Sequence, residues 1–491
     1  MKMASPRSRH AVISGRAAPA RTNVMSPPDA SDMMVEPNGT VDAAQTLTRA
    51  VKDYVERDDR FSLERKIYGQ YFQLYYQRLM LLLPRLKEAV AAKWPGSAPH
   101  IKVLDLKEGE ECVIMGTLYK DMKLKPSILD DYVKEAGLGG TSEVKSTKFV
   151  SDDDSLVLED EGARVKLVGP AANVDEFVTG VVLAAKGRVI ANGEFEADEI
   201  CFPAPAPQTP IAKSSAPGPG TYVAIVSGLR VGDAAASDPK LLDLMLDYLT
   251  GNLGGAAEQS AAASVARVVV AGGALPAAEV PATSLDPRQQ AAAARPLRDL
   301  DVFLTTLAAA VPTCVMPGEG DPTNQALPQQ PLHPCMFPEA ARYAPATFSA
   351  ATNPHDFATG GVEFLGTSGQ NIDNLRAYTK TKTHGDASDA NAAAAETLDL
   401  MEATLRWQHL APSAPDTLAC YPYKDRDPFH LERSPHVYFA GCQPAFGARV
   451  VERGGAGGKT LVVSVPSFAE TGTVALVNLD TLECHPVSFS D

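Results

Sequence analysis

The chain reads as an α/β protein (α+β overall) in two parts, a small closed β-barrel followed by a larger layered α/β domain. Three observations predict it. Its 491 residues exceed what a single core serves, so at least two domains are expected. Between residues 100 and 205, short runs alternate apolar and polar side chains across glycine turns: IKVLDL, ECVIMGTLY, SLVLEDEGARVKLVG, EFVTGVVLAAKGRVI and EFEADEICF. Beyond PAPAPQTPIAKSSAPGPG, residues 203–220, near-continuous apolar runs are each followed by an amphipathic stretch, the pattern of βαβ units around a buried sheet.

In chain order, residues 1–58 are polar and rich in Ala, Pro and Ser, which predicts a disordered tail. Its first 28 residues hold five Lys/Arg and no acid, as organelle transit peptides do, yet they are broken by Pro and lack an apolar helical face. Residues 59–95 form a helical segment, because Ile67, Phe72, Tyr75, Leu79, Leu82 and Leu86 recur at helical spacing. The aromatics are expected in the core, and Pro84 should kink or divide the helix. Residues 96–205 are the barrel, of the OB-fold type. It carries Asp152, Asp153, Asp154, Glu159, Asp160 and Glu161 with few aromatics, which favours a protein-binding or structural barrel over a reader of single strands.

Residues 206–220 are the linker and 221–491 the layered domain. TYVAIVSG, DPKLLDLMLDYLTG, ARVVVAGG, PLRDLDVFLTTLAA and VPTCVMPG alternate strand and helix. HVYFAG, KTLVVSVPSF, TVALVNL and HPVSF read as antiparallel strands, and THGDASDANAAAAE as a surface loop or the lead-in to helix TLDLMEATLRWQHL.

Charge and composition exclude several classes. A net charge of −15 opposes a broad basic surface for duplex phosphates. The cysteines (Cys112, Cys201, Cys314, Cys335, Cys420, Cys442 and Cys484) contain no C-x-x-C pair, so neither a zinc ribbon nor a disulfide framework is signalled and a reducing compartment fits. Apolar runs are too short for a membrane span.

One stretch looks like a site: VMPGEGDPTNQALPQQPLHPCMFP, residues 315–338, leaves a strand through a Gly turn and offers Glu319, Asp321, Asn324, His333 and Cys335. Such residues after a strand are what a metallohydrolase recruits. RGGAGGKT at 453–460 is not a P-loop, because Arg453 stands where its first glycine belongs and a strand follows instead of a helix. Neither G-x-S-x-G nor H-E-x-x-H occurs, and GTSGQN holds its serine in the wrong frame. Five strand-end turns remain, VSGL, AGG, PGEGD, GTSGQN and AGCQP, where open α/β sheets bind ligands.

The order of these turns resembles the calcineurin-like phosphoesterase scaffold, whose D-x-H, G-D, G-N-H-D, lone His and G-H-x-H hold two divalent metals. Mapped in order, Ser227 and Leu229 replace the first pair, Gly273 the Asp of G-D, Glu319 and Gly320 the Asn and His of the third turn, and Cys442 and Pro444 the last two His. GTSGQN offers no counterpart to the lone His. A degenerate metal site is therefore expected, with no catalytic, metal or cofactor-binding residue. Asp321 with Pro322 would start a turn and Asn324 would cap or brace it.

A scaffold of this kind behind an OB-fold is similar to the B-subunit family of replicative DNA polymerases, and within it to the small (second, regulatory) subunits of DNA polymerase delta. The residues carrying the resemblance include GTLYKDMKLKPSILDDY, TNPHDFATGGVEFLGTSGQN, APSAPDTLACYPY and DPFHLERSPHVYFAGCQPAFG, over about residues 60–491. The resemblance implies a nuclear, non-enzymatic scaffold that binds the Cys-rich C-terminal domain of the polymerase catalytic subunit and the third subunit. It also implies indirect work with the sliding clamp, service to the catalytic subunit of polymerase zeta, and weak or no direct DNA binding. Alternatives are a B-type accessory chain of another replicative or translesion polymerase, an active metal-dependent phosphoesterase, or a single-strand-binding barrel.

Overall fold

The computed structural model describes residues 11–14, 47–63, 69–96, 100–126, 148–211, 220–233, 235–277, 287–380, 390–454 and 458–490. After strands β1 (Ala11–Ser14) and β2 (Tyr54–Glu56) comes helix α1 (Phe72–Lys93). A closed five-stranded barrel follows: β3 (Glu111–Asp121), β4 (Ser155–Glu159), β5 (Arg164–Val168), β6 (Val182–Val189) and β7 (Phe195–Cys201), in the order β3-β4-β5-β7-β6. All its pairs are antiparallel except β5 with β7. Alternation makes the barrel: Leu156 and Leu158 of β4 are fully buried while Ser155, Val157 and Glu159 are not.

The second domain is two sheets face to face. One holds β8 (Tyr222–Val226), β9 (Val265–Ala271), β10 (Thr313–Met316), β11 (Phe348–Ala350), β17 (Thr473–Asn478) and β18 (Cys484–Ser490), with β1 on the edge of β18. The other runs β15 (Gly447–Glu452), β16 (Lys459–Pro466), β14 (Val437–Gln443), β13 (Val362–Thr367), β12 (His355–Thr359) and β2. Ile225, Val269 and Met316 of the first sheet meet Phe364, Phe439 and Val463 of the second in one apolar layer. Helices α2 (Pro239–Thr250), α3 (Ala256–Ala263) and α4 (Pro287–Ala310) cross between β8, β9 and β10, which run parallel as the βαβ pattern requires. Helices α5 (Gln370–Tyr378) and α6 (Ala390–Trp407) follow β13, and the single turn α7 (Phe468–Thr471) follows β16. Local chemistry sets the ends: Asp238 caps α2 by accepting from Lys240 N–H at 2.9 Å, Pro239 is its first residue, and Gly251 closes it at φ +88°.

Four sequence expectations are corrected. The tail does not extend to residue 58, because residues 47–63 are built into the second domain. Arg49 donates to the carbonyls of Leu249, Ala262 and Val265 at 2.7–3.0 Å, β2 pairs with β12, and Arg57 and Arg60 reach Glu363 and Asp356 at 2.7 and 3.1 Å. Pro84 does not divide α1, which runs as one helix of 22 residues held along the barrel by Leu79, Leu82 and Leu86. The start of the linker is docked: Ala206 N–H donates to Gln408 at 2.7 Å and Gln208 to the Lys459 carbonyl at 2.7 Å, while 212–219 lie outside the described residues. HVYFAG and KTLVVSVP pair in parallel, not antiparallel, since β14 lies in the sheet interior where buried parallel strands are apolar throughout. Position 67 and residues 381–389 lie outside the described residues.

Two buried ionic centres fasten this architecture. Arg78, on α1 and fully buried, donates to Asp427 at 2.8 Å and to the carbonyls of Gly180, Pro412 and Ala414 at 3.2, 2.6 and 2.7 Å. One guanidinium thus joins helix, barrel and second domain. His409 Nδ1 accepts from Ala411 N–H at 3.2 Å while Nε2 faces Asp427 at 2.9 Å, so a neutral imidazole donates to the carboxylate. Burial, then Arg78, pushes His409 down to about 4, and Asp427, despite burial that raises it, is held well below the usual carboxylate range by His409 and Arg78. The second centre is Asp58, 2.8 Å from His355 Nδ1, with Tyr54 Oη and Cys314 Sγ at 3.1 and 3.6 Å from Nε2. It pins β2 to the sheet.

The first centre adds acid sensitivity to the fold. Between the ordinary His value of 6.5 and about 4, the unfolded chain takes up a proton at residue 409 that the folded chain refuses, so stability falls as pH falls through that window. The depressed Asp427 acts in the same direction. Urea midpoints of His409→Gln should therefore fall less, or rise more, between pH 7 and 4 than those of the parent; the same pH slope in both would exclude His409 as a source of acid sensitivity.

The strand-end turns as a candidate site

The structure brings the five turns together at the carboxyl ends of the strands of both sheets. Ser227 follows β8, Gly272 and Gly273 follow β9, Gly318 follows β10, Ser368 and Gly369 follow β13, and Cys442 lies near the end of β14. They are pressed against one another by backbone contact. Gly228 N–H donates to the Gly272 carbonyl at 2.8 Å and Arg230 N–H to that of Gly273 at 3.0 Å. At Gly273, φ +64°, an added Cβ would lie 2.9 Å from Cys442 Sγ and 3.0 Å from Gly228 Cα; at Gly318 it would lie 2.6 Å from Gly273 N. These are distances no side chain tolerates, so only glycine lets the turns close.

The polar groups nearest the glycines bond to one another, while Thr367 Oγ1 at the end of β13 is left without a partner. Ser227 Oγ donates to the Pro466 carbonyl at 3.1 Å and accepts from Cys442 N–H at 2.8 Å. Asn353 joins Gln329, Ser368 and Gln370 at 2.6–2.8 Å, and Gln329 reaches the Gly318 carbonyl at 3.1 Å. Asp321, buried, accepts from the N–H groups of Gly318, Gly273 and Leu275 at 2.8–2.9 Å and more distantly from Ala274. Burial pushes its carboxyl up to about 6 against the pull of those four donors. Since every partner is itself a donor, the ionised form is the one the pocket fits.

The other sequence candidates do not join this cluster. Glu319, Gly320 and Pro444 are exposed, and Leu229 is fully buried in the apolar layer beneath the helices. Burial and then Asp321 push the Cys442 thiol up to about 12. Asn324 braces the loop, accepting from Gln330 N–H at 2.8 Å and donating to the Pro328 carbonyl at 3.0 Å. His333 accepts from Cys335 N–H at 3.2 Å in a single exposed turn. A dimetal centre needs several imidazole and carboxylate donors converging on open space; one hydroxyl, one protonated thiol and a carboxylate saturated by N–H groups do not fit it. Among the described residues no cluster of three or more His, Cys, Asp or Glu could hold a metal ion. No described helix is long and apolar enough to cross a membrane.

Sequence reasoning missed Arg78, His409, Asp427, Asp58 and His355. PHDF and RWQHL gave no periodic signal, and an arginine within LYYQRLML reads as a solvated helix position.

Family comparisons place this OB barrel and two-sheet α/β domain in a class, the B-type accessory chains of DNA polymerases. The family of B subunits from DNA polymerases alpha and epsilon matches residues 223–448, and the family described as DNA polymerase delta subunit OB-fold domain matches 70–200. The chain is 42% identical over 454 residues to the DNA polymerase delta small subunit of Arabidopsis thaliana, covering 92% of this chain and 98% of the relative. It is 32% identical to the small subunit of Saccharomyces cerevisiae (91% and 95% covered) and 38% identical to DNA polymerase delta subunit 2 of Drosophila melanogaster (86% and 93% covered). The chain belongs to the DNA polymerase delta small-subunit family.

Proposed function

We propose that this subunit is a non-catalytic nuclear scaffold whose layered domain is a phosphoesterase-type fold that has lost its metals. In this reading it holds the Cys-rich C-terminal domain of the catalytic subunit, binds the third subunit on other faces, works with the sliding clamp indirectly, and serves polymerase zeta as well. The observation that carries it is the closure of the strand-end turns, where glycines in mutual backbone contact and a hydrogen-bonded polar network fill the junction. The acidic net charge of −15 suits a bridge between proteins better than a phosphate-binding surface.

The purified chain with Mn²⁺ or Zn²⁺ should leave bis(p-nitrophenyl) phosphate unhydrolysed, and the co-expressed chain should purify with the catalytic and third subunits. Metal-dependent turnover, or a chain that stays monomeric beside its co-expressed partners, would overturn the reading.

A further inference from the structure

We propose that the groove between the start of α1 and strands β3 and β4 docks a Lys/Arg-bearing apolar segment of another polymerase subunit. The proposal rests on the scaffold reading above and gives it a location. The groove, about 480 Å³, is walled by Phe72, Tyr75, Tyr76 and Leu79 of the helix and Tyr119 of the barrel. Against the sequence expectation that the aromatics of α1 lie in the core, Phe72 is 69% exposed and Tyr76 54%. The core face of the helix is completed by Leu74, Leu82 and Leu86 without them. Positions 72 and 76 lie one turn apart on the same face of the helix, so the two exposed rings sit side by side along the groove with buried Leu79 beneath its floor.

Its rim is acidic. Glu159, Asp160, Glu161 and Asp416 line it with Arg164 as the only cation among its described lining residues; Lys125, beside Tyr119, pairs with Asp416 at 2.6 Å, so the acidity open to a partner lies at residues 159–161. Arg164 pairs with Glu159 at 3.0 Å and Lys102 with Glu161 at 3.4 Å, all four side chains 44–64% exposed. Exposed pairs of this kind are weak, so a partner cation can displace them. Charge also decides between occupants. A nucleic-acid strand would stack on the aromatics but bring phosphates against the carboxylates. A second copy across a two-fold axis would set one acidic rim against the other. A segment with an aromatic or leucine anchor flanked by Lys or Arg satisfies both features.

The test uses the full chain co-expressed with the catalytic and third subunits. A photo-reactive benzoylphenylalanine at position 76 should crosslink to a Lys/Arg-containing segment of one of them. The variant Phe72→Ser, Glu159→Lys, Glu161→Lys should retain that subunit roughly tenfold more weakly, the other unchanged, with an unaltered melting profile. Crosslinks only to this chain itself or to DNA, no crosslink in an intact complex, or undiminished retention by the variant would each overturn the groove as a docking site. Failure of the wild-type chain to retain either subunit would instead overturn the scaffold reading on which it rests.

Discussion

Arg78→Met is expected to destabilise the protein by roughly 3 to 5 kcal/mol, the range for breaking one partner out of a buried ion pair. The substitution keeps the length and apolar stem of the side chain, so the loss is electrostatic and not a cavity. Asp427 would remain fully buried with only the neutral His409 and a backbone N–H to face its charge. The carbonyls of Gly180, Pro412 and Ala414 would lose their shared donor at the same time. Those groups belong to different parts of the chain, so the barrel should also loosen from the second domain. Urea denaturation reads the first effect and limited proteolysis of the 203–220 stretch the second. Adding Asp427→Leu removes the stranded charge but not the stranded carbonyls, so the double variant should recover only part of the loss. A single-variant cost below about 1 kcal/mol would mean that water replaces the guanidinium and that the centre is not what joins the domains.

Asp321→Ala should cost about 3 kcal/mol or more. Gly318, Gly273, Ala274 and Leu275 would each keep a buried N–H without its acceptor, and each unsatisfied donor costs on the order of 1 to 3 kcal/mol, less than additively. Asp321→Asn keeps one accepting oxygen but turns an NH₂ toward N–H groups, so it should fall between. Thermal melting and amide exchange at residues 273–275 read the outcome; if those amides stay as protected in the alanine variant as in the parent, another group holds the turns closed. Asp321 thus acts as a strut between the β9 and β10 turns, using a carboxylate where the sequence suggested a site.

How much could be read beforehand follows from which signals are periodic. The barrel strands and the βαβ run declare themselves through alternation and continuous apolar stretches, and both are present. The turns could be ordered because each follows such a run. Arg78 could not be found, because burial of a charged side chain depends on Asp427 and three carbonyls brought from 102 to 349 residues away. The orientation of Phe72 and Tyr76 was hidden for a related reason. Helical spacing defines a stripe but not which stripe the barrel covers, and leucines at 74, 79, 82 and 86 supply a competing face. The segment 47–63 was invisible because three residues in β2 are too few for an alternation to register.

That short segment bears on how the molecule is made. Asp58 and its partner His355 are 297 residues apart, with the whole barrel encoded between them. At ribosomal speeds of about 5 to 20 residues per second, roughly 15 to 60 seconds separate their synthesis. The barrel, whose strands are near neighbours in the chain, is complete well before β12 exists. During that interval the second domain's outermost strand hangs from an already folded barrel, awaiting a sheet still to be translated. The edge that β2 closes must therefore wait for residues made long after its own, and a nascent chain stalled before residue 355 carries a finished barrel with that edge still open.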